Sequence, residues 1–186
     1  MGLFEFLMVL VSIIGGLGVT EILTGAARTL RSRTSVRLYW VHLFLVVALF
    51  LALLQQWWET WGLRDESEWS FPALLLLLGA PVCLFLMAHL VFPEPVEKAD
   101  FEDYYYQQMR PIWILGAVAV TASTAFRPLV FGQPLFTASN ATSFLGLIGF
   151  FVLYTSTRRL THGILIPLLV VLLLLDILLW SPVIGA

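Results

Sequence analysis

The chain has 186 residues, of which 60% are hydrophobic and only 12% are charged, and its formal net charge is −2. This composition is too apolar for an ordinary soluble domain. The small negative charge gives no sign of nucleic-acid binding, because a phosphate-binding surface needs a clustered excess of cations.

Six apolar runs follow one another along the sequence, and each is long enough for a helix of about 20 residues that crosses a bilayer. They predict an all-α polytopic integral membrane protein, with a bundle of six transmembrane helices in a single transmembrane domain at residues 1–186. The lipid bilayer is therefore its main predicted partner. The predicted helices are 3–26, 38–61, 71–92, 111–131, 138–157 and 163–183.

Basic residues are concentrated in three alternate connections between these helices. Eight of the ten lysines and arginines lie at 28–37, 98–110 and 158–159, whereas Arg64 and Arg127 lie on the other side. Positively charged connections generally stay in the cytoplasm. The pattern therefore predicts that both termini are extracytoplasmic, in a bacterial inner membrane or a plasma membrane.

In the first run, Gly18, Glu21 and Gly25 recur at helical spacing on one side. Small residues allow helices to approach closely in lipid, so this pattern turns Glu21 toward a neighbouring helix. An ionisable group within a membrane helix costs about 2.5–3.5 kcal/mol on insertion scales and marks a candidate functional site. A second stripe of small residues predicts a packing seam on the fifth helix: Ser139, Ser143 and Gly146.

Three titratable side chains from three helices are predicted to share one level near the basic connections. With about 1.5 Å of rise per residue, His42 lies roughly 6 Å, His89 roughly 5 Å and Glu21 roughly 9 Å into the membrane. Histidine can load and release protons at cellular pH. We interpret the three as the inner station of a proton or cation path, although each alone can instead snorkel to the interface.

A second polar group is predicted in the other half of the membrane. On the same scale, Asp176 lies roughly 20 Å, Arg127 roughly 24 Å and Gln56 roughly 26 Å from the basic side. Asp176 and Arg127 can therefore form an ion pair, and Gln56 lies roughly on the helix face of His42. These two groups support the hypothesis of a small proton- or cation-linked transporter or channel that forms a homo-oligomer.

Two other functions remain open. His42 and His89 lie on consecutive antiparallel helices at matching depth, so they could bind a haem iron from opposite sides. Alternatively, the chain is a non-catalytic structural subunit of a larger membrane complex. An enzyme is the least supported class, because no motif for hydrolysis or nucleophilic transfer occurs. We therefore predict no catalytic residue, no metal site and no cofactor other than this alternative haem.

Two predictions concern the connections on the basic side. Between the third and fourth runs, an acidic stretch and three tyrosines predict a solvated loop and a short interfacial helix that leads into Pro111. His162 follows Arg158 and Arg159 in a short connection, and it is predicted to be solvated.

Overall fold

A computed structural model describes residues 3–66 and 69–181. Within these ranges the chain is helical, with short 3-10 turns at Trp61–Leu63 and Ala138–Asn140 and no strand. The α-helices are α1 (Leu3–Arg31), α2 (Trp40–Thr60), α3 (Phe71–Leu90), α4 (Phe101–Phe131), α5 (Ala141–Thr155) and α6 (Arg159–Trp180). Six helical segments, with these turns included, are long and apolar enough to cross a membrane. The prediction of an all-α, multi-pass membrane protein is confirmed.

Five of the helices form a closed ring. Helix α2 packs on α3, α3 on α4, α4 on α5 and α5 on α6, and α6 returns to α2. Helix α1 lies outside this ring, against α2 and α3. Its glycines allow this approach, because a Cβ on Gly18 would lie 2.8 Å from Leu53 and a Cβ on Gly25 would lie 2.2 Å from Phe92. The glycine pattern of the first run therefore marks the face by which α1 packs on its neighbours.

Helix α4 is longer than the sequence predicted. It begins at Phe101 and continues through Pro111 to Phe131, which gives a length of about 46 Å. The hydrocarbon core of a bilayer is about 30 Å thick, so the first turns of α4 extend beyond it. A separate interfacial helix is not found, because the buried residues Met109 and Ile112 on either side of Pro111 belong to one continuous packed helix.

We call the side that carries the α1–α2, α3–α4 and α5–α6 connections the basic face, and the other side the opposite face. Ion pairs join the three connections of the basic face. Arg37 lies 3.0 Å from Asp100 and 3.6 Å from Glu102, and Arg159 lies 3.1 Å from Glu102. Arg37 and Asp100 also form a backbone bridge. The acidic stretch is therefore packed against the two neighbouring connections and does not form a free solvated loop.

Candidate functional site: a cavity inside the helix ring

A cavity of about 600 Å³ lies inside the ring, lined by residues of α2, α3, α4, α5 and α6. Its volume falls in the range typical of small-molecule sites. At the opposite face it reaches the exposed residues Gln133 and Pro134 of the α4–α5 connection. Toward the basic face it ends at Trp113 and Ile166, which are 1% and 2% exposed. The cavity is therefore accessible from the opposite face.

Asp176 on α6 is a firmly positioned acid in the cavity wall. Gln55 of α2 donates from Nε2 to Oδ2 at 2.6 Å, and the Thr142 hydroxyl of α5 donates to Oδ1 at 2.5 Å. The two hydrogen bonds fix the position of the carboxyl group in the wall. Because a carboxylate can accept about four hydrogen bonds, Asp176 joins three helices and still has capacity to bind a ligand.

Two further charged residues line the cavity. Glu59 accepts a hydrogen bond from the Ser181 hydroxyl at 3.0 Å and lies within electrostatic range of Asp176 and Arg127. Arg127 donates from Nη2 to the carbonyl of Gly62 at 3.4 Å. The charged groups of the described wall are thus two carboxylates and one guanidinium, which leaves a net negative charge when all three are ionised.

The ion pair that the sequence allowed between Asp176 and Arg127 does not form in the described structure. The oxygens of Asp176 accept from Gln55 and Thr142, and Arg127 turns to a backbone carbonyl. Depth along the helices placed both residues in the same half of the membrane, but depth does not fix the rotation of each helix. Both residues nevertheless line the same cavity.

Other polar residues complete the wall, among them Gln56 of the predicted second polar group. Gln56 lines the cavity, and its backbone carbonyl accepts from the Thr60 hydroxyl at 2.9 Å. The small-residue stripe of the fifth helix also lines the cavity, where we had predicted a packing seam: Ser139, Ser143 and Gly146. Together they give the part of the cavity nearest the opposite face a polar wall.

Two buried polar atoms belong to residues that line the cavity. Trp113 Nε1 and Thr124 Oγ1 have no hydrogen-bond partner among the described residues. A buried polar group that remains unpaired costs about 1–3 kcal/mol. Both atoms are buried in the wall and are not exposed at the cavity surface, so they do not themselves mark a ligand position.

Glu21 and His89 meet away from this cavity. Glu21 Oε1 lies 3.6 Å from His89 Nδ1, and the two side chains are 41% and 56% exposed. The pair joins α1 to α3, and neither residue lines the cavity. The structure thus brings two members of the predicted inner station together, outside the ring interior.

His42 shares their predicted depth but has different surroundings. It is 1% exposed, and its ring lies against Phe92, Phe101 and Tyr105 with centroid distances of 6.1, 4.9 and 6.4 Å. Its Nε2 has no hydrogen-bond partner among the described residues. His42 does not line the cavity and is enclosed by aromatic rings, whereas His89 faces Glu21. This geometry gives no support to haem ligation by the two histidines.

Among the described residues, no three His, Cys, Asp or Glu side chains are grouped closely enough to hold a metal ion together.

The prediction that His162 is solvated is wrong. His162 is 0% exposed, with Nδ1 2.9 Å from the Tyr105 hydroxyl and Nε2 2.9 Å from the Ser156 carbonyl. Because a carbonyl can only accept, Nε2 donates, and the neutral ring accepts from Tyr105 at Nδ1. The ring of His162 lies 6.2 Å from Trp113. The Tyr105–His162 couple therefore lies under the cavity floor, on its basic side.

No protein family, curated protein or solved structure matches the chain. Its function is therefore argued from the cavity itself.

Proposed function

We propose that the protein is a small membrane transporter that binds a cation in the central cavity and moves it in a proton-linked cycle. The observation that supports this most directly is the position of Asp176. This carboxylate lies in the wall of a one-sided cavity and is held by hydrogen bonds from two other helices. A fixed acid at membrane depth is costly unless it has a function or a partner.

One-sided access favours a transporter over an open channel. The floor residues Trp113 and Ile166 are buried, and Tyr105 and His162, at 2% and 0% exposure, lie beneath them. A bound cation can reach the basic face only if this buried layer rearranges. Such alternating exposure of a site to the two sides is how membrane transporters work.

The charge pattern supports one orientation of the cavity. We propose that the basic face lies in the cytoplasm, because eight of the ten lysines and arginines lie in its connections or in the adjoining parts of the helices. The cavity then opens to the extracytoplasmic side, and both termini lie on that side. In this orientation the protein would take up or release its cation across a bacterial inner membrane or a plasma membrane.

A proton–cation exchange assay tests the proposal with purified protein in vesicles that contain a pH-sensitive dye. After a pH gradient is imposed, Na⁺, K⁺ or tetramethylammonium is added outside, and collapse of the gradient reports exchange. We expect at least one of these cations to collapse the gradient faster than in protein-free vesicles. Asp176→Asn should abolish this acceleration, because it removes the net negative charge of the cavity wall and leaves only Glu59 and Arg127 as charged groups.

Glu21→Gln is the matched control, since it neutralises a carboxylate that lies outside the cavity. We expect it to retain exchange. If Glu21→Gln loses exchange while Asp176→Asn retains it, the Glu21–His89 pair carries the ion and the cavity proposal is wrong. Both variants should first show wild-type thermal stability in detergent, so that loss of exchange is not loss of folding.

A structural role in a membrane assembly is the second candidate. It is favoured by the partial exposure of Glu21 and His89 on the outer side of the ring, where a second copy or a larger partner could cover them. A folded wild-type protein that remains a stable oligomer in detergent, but exchanges neither the three probe cations nor a larger lipophilic cation, would support this role and contradict the transporter proposal.

A further inference from the structure

We infer that the cation bound in the central cavity is a lipophilic organic cation, with a charged head near Asp176 and an apolar body on the cavity floor. This inference rests on the proposed function and narrows its substrate class. It depends on three features of the described structure: the charges of the wall, the chemistry of the floor, and an apolar groove that borders the floor on the outer side of the ring.

The charges of the wall favour a cation over an anion. Glu59 and Asp176 provide two carboxylates, and Arg127 is the single described cation of the wall. Arg127 is also hydrogen-bonded to the Gly62 carbonyl, and it acts on Glu59 through its charge. Asp176, whose described hydrogen bonds come from neutral groups, is therefore the carboxylate best placed to attract a cation.

The floor favours an apolar body. Trp113 and Phe150 stack with their ring centroids 6.1 Å apart and an interplanar angle of 24°, and both line the cavity. The rest of the floor is aliphatic: Leu45, Leu49, Leu84, Met87 and Ile166. Ile166 and Asp176 are ten residues apart on α6, or about 15 Å along the helix axis. A small hydrated ion at Asp176 would leave this apolar surface unfilled, whereas a larger organic cation would cover it.

A lateral groove borders the same floor on the outer side of the ring. This second space, of about 610 Å³, lies along α4 and α5 and shares the wall residues Leu76, Trp113, Ala122 and Phe150 with the cavity. Apart from Thr121, its lining is apolar or aromatic. The floor of the cavity is thus apolar on its outer side as well, which also favours a lipophilic occupant.

Direct binding with a pair of ions of the same shape and opposite charge tests the inference. Full-length protein in lipid nanodiscs is dialysed against tetraphenylphosphonium, and binding is corrected for uptake by empty nanodiscs. We expect saturable binding that is at least tenfold weaker in Asp176→Asn and unchanged in Glu21→Gln. Tetraphenylborate, the anionic counterpart, should show no saturable binding, because the net charge of the wall repels it.

Glu59→Gln provides a second charge-removing variant if Asp176→Asn does not fold, and it should also weaken binding. Equal binding of tetraphenylborate would overturn the inference, since shape alone would then explain binding. So would tetraphenylphosphonium binding that survives removal of both wall carboxylates. Saturable binding of tetraphenylphosphonium without any cation-driven proton exchange would support the ligand class and contradict transport. Exchange of Na⁺ or K⁺ without tetraphenylphosphonium binding would support transport and contradict the ligand class.

Discussion

Gly25 of α1 lies close against Phe92 of the α3–α4 connection, and its substitution should be costly. A Cβ at this position would lie 2.2 Å from Cδ2 of Phe92, well inside van der Waals contact. Overpacking of this kind usually costs about 1–3 kcal/mol, which outweighs the gain of about 1 kcal/mol in helix propensity. We predict that Gly25→Ala lowers the thermal unfolding temperature in detergent.

Gly15→Ala is the control for this prediction, because a Cβ at Gly15 meets no atom within 4 Å. It should leave the unfolding temperature unchanged or raise it. Adding Phe92→Leu to Gly25→Ala should restore part of the lost stability by making room for the new methyl group. If the two alanine variants unfold at the same temperature, close packing of α1 at Gly25 does not contribute to stability.

At the scale of single residues, position along the helices indicated which side chains could meet, but not the direction in which each side chain points. The depths of Glu21 and His89 correctly indicated that they could meet, and they lie 3.6 Å apart. His42, at a similar depth, is instead enclosed by aromatic rings. In a soluble helix the polar face indicates the direction of each side chain. A membrane helix that is apolar on all sides carries little such information, so its rotation cannot be read from the pattern.

Asp100 binds the start of α4 to Arg37 of the α1–α2 connection, and its ionised form should stabilise the fold in a pH-dependent way. Partial desolvation alone would raise its pKa, but hydrogen bonds from the N–H groups of Asp103 and Glu102 and the charge of Arg37 hold the pKa below its ordinary value of 3.8. A carboxyl with a lowered folded-state pKa stabilises the fold above its unfolded pKa, and this contribution is lost as the pH falls through the folded-state pKa.

We predict that Asp100→Asn unfolds a few degrees below wild type at neutral pH and that this difference narrows below pH 3.8, the ordinary pKa of the carboxyl. Asn keeps an oxygen that can cap α4, whereas Ala does not, so Asp100→Ala should be the less stable variant. Thermal melts of the three proteins across this pH range provide the measurement. A difference between wild type and Asp100→Asn that does not change with pH would contradict the assigned role of the charge.

At the scale of whole helices, the number and order of elements were predictable, but several boundaries were not. Helix α1 continues to Arg31 and α6 begins at Arg159, and the start of α4 differs most from its prediction. Pro111 indicated a helix start, because proline favours the first turn, yet α4 continues through it from Phe101. The signal for the longer helix was the helical spacing of Phe101, Tyr105 and Met109, all of which are buried. The extension also explains why the prediction for His162 is wrong, because Tyr105 of the extended α4 is hydrogen-bonded to the His162 ring.

At the scale of the molecule, hydropathy was sufficient to predict six membrane helices but not how they enclose a cavity. Apolar length defines a span, whereas the ring of α2 to α6 depends on which helix faces pack. Ser143 and Gly146 illustrate the difference. Small and hydroxyl-bearing residues on one stripe are compatible with close helix packing or with a polar cavity wall, and the structure places them in the wall.

The orientation of the whole molecule decides from which side of the membrane a ligand enters the cavity, and cysteine labelling can determine this orientation. Cys83 is buried within α3, so Cys83→Ala gives a background without cysteine. Single cysteines are then placed at Ser35 on the basic face and at Asp65 on the opposite face, both of which are exposed. A membrane-impermeant maleimide added to intact cells should label Asp65→Cys, and Ser35→Cys should react only after lysis, because basic connections stay in the cytoplasm. The reverse labelling pattern would show that the cavity opens to the cytoplasm. Labelling of both positions in intact cells would contradict a single orientation.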